Sequence, residues 1–196
     1  MGRLYGAVIE TLAAAVFLVP VFLIGRRYLF RAGQRSGLYT LFGLYLAAVL
    51  TLVGFPNLMT LKIDLTVNFI PFLDMIPDFK NACLNVLLFV PFGAFLPILW
   101  SSFRSLRRTA LTGLAVSCVI ELAQLFTFRT TDINDLITNT LGAVLGFCIA
   151  GKFTRNFSTH TAAADGRDFY TICGLVAGIM FFLQPYTAML LWNLIL

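Results

Sequence analysis

Apolar residues along the chain gather into six runs, at about Tyr5–Ile24, Leu38–Phe55, Ala82–Trp100, Thr109–Phe126, Ile133–Ala150 and Phe169–Leu191. Each approaches the about 20 apolar residues that an α-helix needs to cross the hydrocarbon core of a bilayer. The pattern predicts an all-α fold: a polytopic membrane bundle of about six transmembrane helices. Only Arg3 precedes the first run, Glu10 lies inside it, and its basic cluster follows it. These features argue against a cleaved signal peptide, so the run is expected to persist as a helix. The stretch Pro56–Lys80 is long for a simple connection. It carries a short apolar piece around Phe69, Phe72 and Leu73, and Pro71 and Pro77 bar a long regular helix there. The piece either lies in the membrane interface or dips in as a re-entrant segment, and interface placement is the expectation.

Composition removes the alternatives. Of 196 residues, 59% are hydrophobic and 12% charged, against roughly 25% charged in soluble domains. Such a chain cannot cover a water-facing surface, and disorder is excluded by the same figures. The net charge of +5 is read as membrane topology rather than nucleic-acid binding. Arg26, Arg27, Arg31 and Arg35 follow the first run. Arg104, Arg107 and Arg108 follow the third, and Lys152, Arg155 and Arg167 the fifth. The opposite side has only Arg3, Lys62, Lys80 and Arg129. The positive-inside rule then places both termini outside the cytoplasm, in a multi-pass protein of the cell membrane. Cys83, Cys118, Cys148 and Cys173 lie in apolar runs without metal-type spacing. The single histidine, His160, lies in a polar loop, which disfavours a histidine-based zinc site or a Ser-His-Asp triad.

Ionisable groups inside spans are costly and mark candidate sites. Two acids lie well inside runs: Glu10 and Glu121. Both fall roughly 8 Å below the outer end of their helices. Gln124 shares the face of Glu121 at i+3. Past Arg129, the residues Asp132, Asp135, Asn139, Gly142 and Gly146 are spaced 3, 4, 3 and 4, which places them on one helical stripe. Its deep end is a Gly-xxx-Gly pair that admits a close helix neighbour. Asn81 and Asn85 stack at i, i+4 on the third run, above Pro91 and Gly93, where a kink is expected. The plain alternative is packing: these groups satisfy one another, and acids at a helix N-terminus favour its dipole.

Two blocks resemble the VanZ-like family of integral membrane proteins. One runs Asn81-Ala82-Cys83-Leu84-Asn85-Val86-Leu87-Leu88-Phe89-Val90-Pro91-Phe92-Gly93, preceded by Asn68-Phe69-Ile70-Pro71-Phe72. The other is Glu121-Leu122-Ala123-Gln124-Leu125-Phe126, then Arg129, Asp132, Asp135, Asn139, Gly142 and Gly146. The resemblance covers roughly residues 40–150. Hydropathy alone places a first helix and basic cytoplasmic loop at 1–37 and a cytoplasmic loop and last helix at 152–196, and between them the resemblance implies a four-helix core over 38–151. The resemblance also implies a role at the outer membrane face, near cell-wall precursors or lipid-linked molecules. The family name comes from a protein associated with resistance to the lipoglycopeptide teicoplanin, with less effect on vancomycin.

Three functions stay open on these residues. In a membrane enzyme acting on a lipid-linked envelope substrate, Glu121 would be general acid or base, and Asp135 or Asp132 its partner or a nucleophile. Arg129 would hold a phosphate or carboxylate, and Gln124, Asn81, Asn85 and Asn139 would orient the substrate. In a non-enzymatic binder or scaffold, the same pocket would capture a lipid or the lipid tail of an antibiotic. A small transporter is disfavoured, because the polar residues cluster near one face instead of the midplane. Phe69, Phe72, Phe126 and Phe128 lie at the same level and suit either an acyl chain or plain interface packing. Oxygen ligands would suit magnesium or calcium, but Arg129 supplies a countercharge, so no metal or other cofactor is expected. Partners are membrane lipids, with a lipid-linked precursor or lipoglycopeptide as the bound molecule, and no nucleic acid.

Overall fold

A computed structural model describes residues 2–28, 36–64, 66–68, 70, 72, 78–127, 131–154 and 166–195. All six apolar runs form helices. They are α1 (Gly2–Tyr28), α2 (Ser36–Val53), α3 (Phe79–Leu99), α4 (Leu106–Gln124), α5 (Ile133–Thr154), and a last one built from α6 (Arg167–Gly178), a π-helical turn (Ile179–Leu183) and α7 (Gln184–Ile195). Four stretches are long and apolar enough to cross a membrane: Tyr5–Gly25, Phe79–Leu99, Ile133–Lys152 and Arg167–Leu194. The apolar part of α2, Gly37–Val53, is shorter. The helix α4 is not among the four, because Arg107, Arg108 and Glu121 interrupt it. The helices divide into two compact units: Met1–Lys62 with Arg167–Leu196, and Ile63–Gly166.

In the first unit, α1 packs on α2 and α7, and α2 on α6. Gly43 admits the Phe22 ring; a Cβ there would lie 2.8 Å from it. The buried Tyr39 hydroxyl donates to Asp168 Oδ2 at 2.9 Å, and the Phe42 and Phe169 rings join the same two helices with their centroids 6.2 Å apart. At the other end of α1, Tyr5 meets Trp192 edge to face, and Thr187 Oγ1 donates to the Ala13 carbonyl at 3.2 Å. Gly54 ends α2 at φ 73°. Its N–H and that of Phe55 bond to the Thr51 and Leu50 carbonyls, the left-handed glycine stop that satisfies orphan carbonyls. The chain beyond it docks on the π-helical turn, where the Phe181 carbonyl accepts from Leu58 N–H at 3.1 Å. Glu10 is partly buried on α1 of this unit.

The second unit holds α3, α4 and α5. The helices α3 and α5 run parallel and meet backbone to backbone. A Cβ on Gly142 would fall on the Val86 carbonyl oxygen, on Gly146 on the Val90 carbonyl oxygen, and on Gly93 on that of Ala143. Such close approach is what small residues provide between membrane helices. The Gly-xxx-Gly pair read from the sequence thus meets the α3 backbone at Val86 and Val90, and Gly93 returns the contact from α3 onto Ala143. The helix α3 continues through Pro91 and Pro97.

Helix α4 lies against α5 with an inverted polarity. Its buried face carries Thr109, Gly113, Ser117, Ile120, Glu121 and Gln124. Leu111, Leu114, Val119 and Leu122 are exposed. On α5 the exposed stripe is Ile137, Leu141, Leu145 and Ile149, while Asn134, Thr138 and Asn139 are buried. A helix in water buries its apolar stripe. Apolar outside and polar inside is the arrangement a hydrocarbon solvent selects, and the chain is a membrane protein. Two short strands complete the unit. β1 (Val67–Asn68) pairs in parallel with β2 (Thr131–Asp132), with Val67 opposite Thr131 and Asn68 opposite Asp132.

Candidate functional site at the α4–α5 turn

The candidate residues converge where α4 ends and α5 begins. Glu121 is 3% exposed on the last turns of α4, and Gln124 is 2% exposed. Beyond them Phe126 and Thr127 N–H groups bond back to Ala123 and Gln124, closing the helix. The chain then passes through β2 and starts α5. Asp132 caps that start, accepting from Asn134 N–H through Oδ1 at 2.9 Å, as N-cap aspartates do. Its own N–H donates to Glu121 Oε2 at 2.9 Å. The buried carboxylate therefore sits on a backbone donor at the positive end of α5, which stabilises a negative group. Thr131 Oγ1 adds a bond to the Glu121 carbonyl at 3.0 Å.

A third helix joins through Asn85, whose Nδ2 donates to Asp135 Oδ1 at 2.6 Å. One turn deeper, Asn139 Nδ2 donates to Ser117 Oγ at 2.9 Å. Across the mouth runs a strap from the α2–α3 connection. Asp64 N–H donates to the Leu125 carbonyl and Thr131 N–H to the Thr66 carbonyl. Asn68 Nδ2 lies 3.4 Å from Asp132 Oδ2, and Phe72 N–H donates to Asn134 Oδ1 at 2.8 Å. Phe72 adopts φ 65° to make that bond, a conformation uncommon for a non-glycine residue. Its ring and the side chain of Ile70 are exposed.

The structure thus brings together Glu121, Gln124, Asp132, Asp135, Asn85 and Asn139. Asn81 does not join them: it is exposed, and its Nδ2 donates to Asp78 Oδ2 at 2.7 Å. Arg129, Phe69 and Phe128 lie outside the described residues. Sequence reasoning missed Ser117 and Thr131, and gave Asn68 and Asn134 no role at the site. Ser117 lies four residues before Glu121 on the same face, so the helical period carried its signal. Asn68 and Asn134 are placed by strand pairing and by the strap, which no local spacing encodes. Among the described residues, no three histidine, cysteine or acidic side chains are grouped to hold a metal ion. The arrangement offers recessed carboxylates and amides from three helices, suited to gripping hydroxyl and amide groups or to accepting a proton.

Comparison with known proteins follows the same residues. The family model described as VanZ/LLP1 matches residues 42–154, which span every residue of this site. Protein VanZ of Enterococcus faecium is 33% identical over 82 residues, 41% of this chain and 50% of that protein. The chain thus spans about half the length of this curated relative. No solved structure matches the chain.

Proposed function

Starting from a chain that belongs to the VanZ/LLP1 family, we propose that it is a multi-pass protein of the cell membrane whose α4–α5 site binds the polar head of a lipid-linked cell-envelope molecule. In this reading the site faces outward, as the basic loops on the opposite side argue. Protection against a lipoglycopeptide of the teicoplanin type then follows from holding or withholding that molecule, or the antibiotic's own lipid-bearing body.

One observation carries the reading: a carboxylate, Glu121, is 3% exposed near the end of α4, a helix whose other face is apolar and exposed. Burying such a group is costly. Interhelical polar contacts in membranes return on average only about 0.6 kcal/mol, so packing alone is a weak reason for its presence. An enzyme is the second reading. There Glu121 moves a proton and Asp135 assists. Asp132 suits that role less, because capping α5 already engages its carboxylate.

The test is drug susceptibility of a sensitive Gram-positive host carrying wild type or Glu121→Gln at matched membrane levels. The proposal expects a several-fold rise in the inhibitory concentration of teicoplanin, a smaller one for vancomycin, and loss of both in the variant. Equal protection by the variant would remove Glu121 from the function. Absence of protection by wild type would sever this chain from the resistance phenotype and leave the family assignment standing.

A further inference from the structure

Below the carboxylates the site has a floor, made of one residue from α4 and one from α5. Ser117 is fully buried and Asn139 is 2% exposed. They share one hydrogen bond, Asn139 Nδ2 to Ser117 Oγ. Asn139 Oδ1 is buried and has no hydrogen-bond partner among the described residues. Besides the second amide proton of Asn139, the inventory of the two side chains leaves a donor and an acceptor open. A serine hydroxyl that accepts still has its own proton to give, and an amide that donates still has its carbonyl to fill. Turning the amide over exchanges the partners and leaves open donors and an open acceptor all the same.

Open groups of this kind are expensive inside a membrane, where no bulk water stands in. They also specify what fills them. A phosphate or a carboxylate brings acceptors only and leaves the Asn139 carbonyl bare. An ammonium brings donors only and leaves the Ser117 proton bare. A hydroxyl group both donates and accepts, and satisfies the pair at once. The position is consistent with the rest of the site. Ser117 lies one helical turn below Glu121 on α4, and Asn139 one turn below Asp135 on α5. A molecule with several neighbouring hydroxyls therefore meets carboxylates above and the serine–asparagine pair beneath.

We infer that the Ser117–Asn139 pair is a hydroxyl-recognising floor, and that the head group bound at the α4–α5 turn is an uncharged saccharide rather than a phosphate. This rests on the proposed function of the same site and narrows its ligand class. Glu121 and the strap admit the molecule, and the floor decides which kind stays.

The experiment uses the full chain in nanodiscs of mixed phosphatidylcholine and phosphatidylmethanol, an anionic phosphodiester without a hydroxyl, doped with a monoglucosyl diacylglycerol as the saccharide probe. Native mass spectrometry reads which lipids remain on the protein. Wild type is expected to retain the glucosyl lipid in preference to phosphatidylmethanol. Ser117→Ala should weaken that retention about tenfold, the loss of roughly one buried hydrogen bond, with phosphatidylmethanol retention unchanged. Ser117→Thr keeps the hydroxyl and should keep the preference, which separates recognition from a packing defect. Glu121→Gln should lose the preference as well. Loss in Glu121→Gln with full retention in Ser117→Ala would overturn the floor and leave the site. Retention in both variants would overturn the site and the floor together. Preference of wild type for phosphatidylmethanol would overturn the saccharide class, whatever the susceptibility test shows. A pair filled by structural water alone would show no glucosyl preference in wild type, and would overturn the inference equally.

Discussion

At the scale of single residues, the acids of the α4–α5 turn differ in what they are free to do. Asp132 spends Oδ1 on the Asn134 N–H, so its contribution to stability is that of a helix cap. Asparagine caps about as well as aspartate, and alanine does not. Asp132→Asn is therefore expected to melt near wild type in detergent, and Asp132→Ala to lose about 1 kcal/mol. A large loss of function in Asp132→Asn at unchanged stability would show instead that its charge is used. The sequence carried both possibilities for Asp132, since an acid at a helix start reads equally as cap or as catalyst. Glu121 was legible more plainly, because a carboxylate inside an apolar run has few structural excuses. The partner it actually meets, the backbone N–H of Asp132, has no side-chain signature and was not readable. Asn81 shows the converse: its i, i+4 relation to Asn85 is real, yet Asp78 captures it.

Among elements, glycines with the same spacing do different work. Gly146 lies against the Val90 carbonyl and has no room for a Cβ. Gly174 and Gly178 on α6 have nothing within 4 Å of that position. Gly146→Leu should force α3 and α5 apart and cost on the order of 1–3 kcal/mol, as overpacking does. Gly174→Ala, in a helix interior, should be neutral or stabilising by up to about 1 kcal/mol. Unfolding of the purified variants in detergent distinguishes them, and similar stability of Gly146→Leu and wild type would contradict the backbone contact. The helices themselves were legible from hydropathy alone, including α4. The pairing of α5 with α3 was half legible: the Gly-xxx-Gly stripe announced a close neighbour, whereas Gly93 passed as part of a proline kink. The short β1–β2 ladder escaped because two residues of strand leave no period to detect.

For the whole molecule, the asymmetry of charge is the main determinant. Arg104, Arg107 and Arg108 lie at one end of the second unit, and the Glu121 site at the other end of α4. The proposed orientation puts the first end in the cytoplasm. In a variant lacking Cys83, Cys118, Cys148 and Cys173, an impermeant maleimide added to intact cells should label Thr66→Cys on the strap. It should label Arg107→Cys only after permeabilisation. The reverse pattern would turn the protein over and remove the site from the envelope. Hydropathy counted six crossings, whereas four helices qualify on length and apolarity. The gap comes from α4, which the exposed Arg107 and Arg108 and the buried Glu121 interrupt, and from the brevity of α2. Window averages cannot distinguish a polar face turned inward from one turned outward.

The π-helical turn at Ile179–Leu183 sets the register of everything after it. One residue removed there would leave an ordinary α-helix, unbroken and just as apolar. The remainder would arrive rotated by about 100° and drawn back by about 1.5 Å. Thr187 would no longer face the Ala13 carbonyl, Trp192 would leave Tyr5, and the Leu58 N–H would lose the Phe181 carbonyl that receives it. The turn thus works as a phase offset between two halves of one span. A homologue without that extra residue would keep its hydropathy profile and yet have to rebuild the whole contact of its last helix with its first.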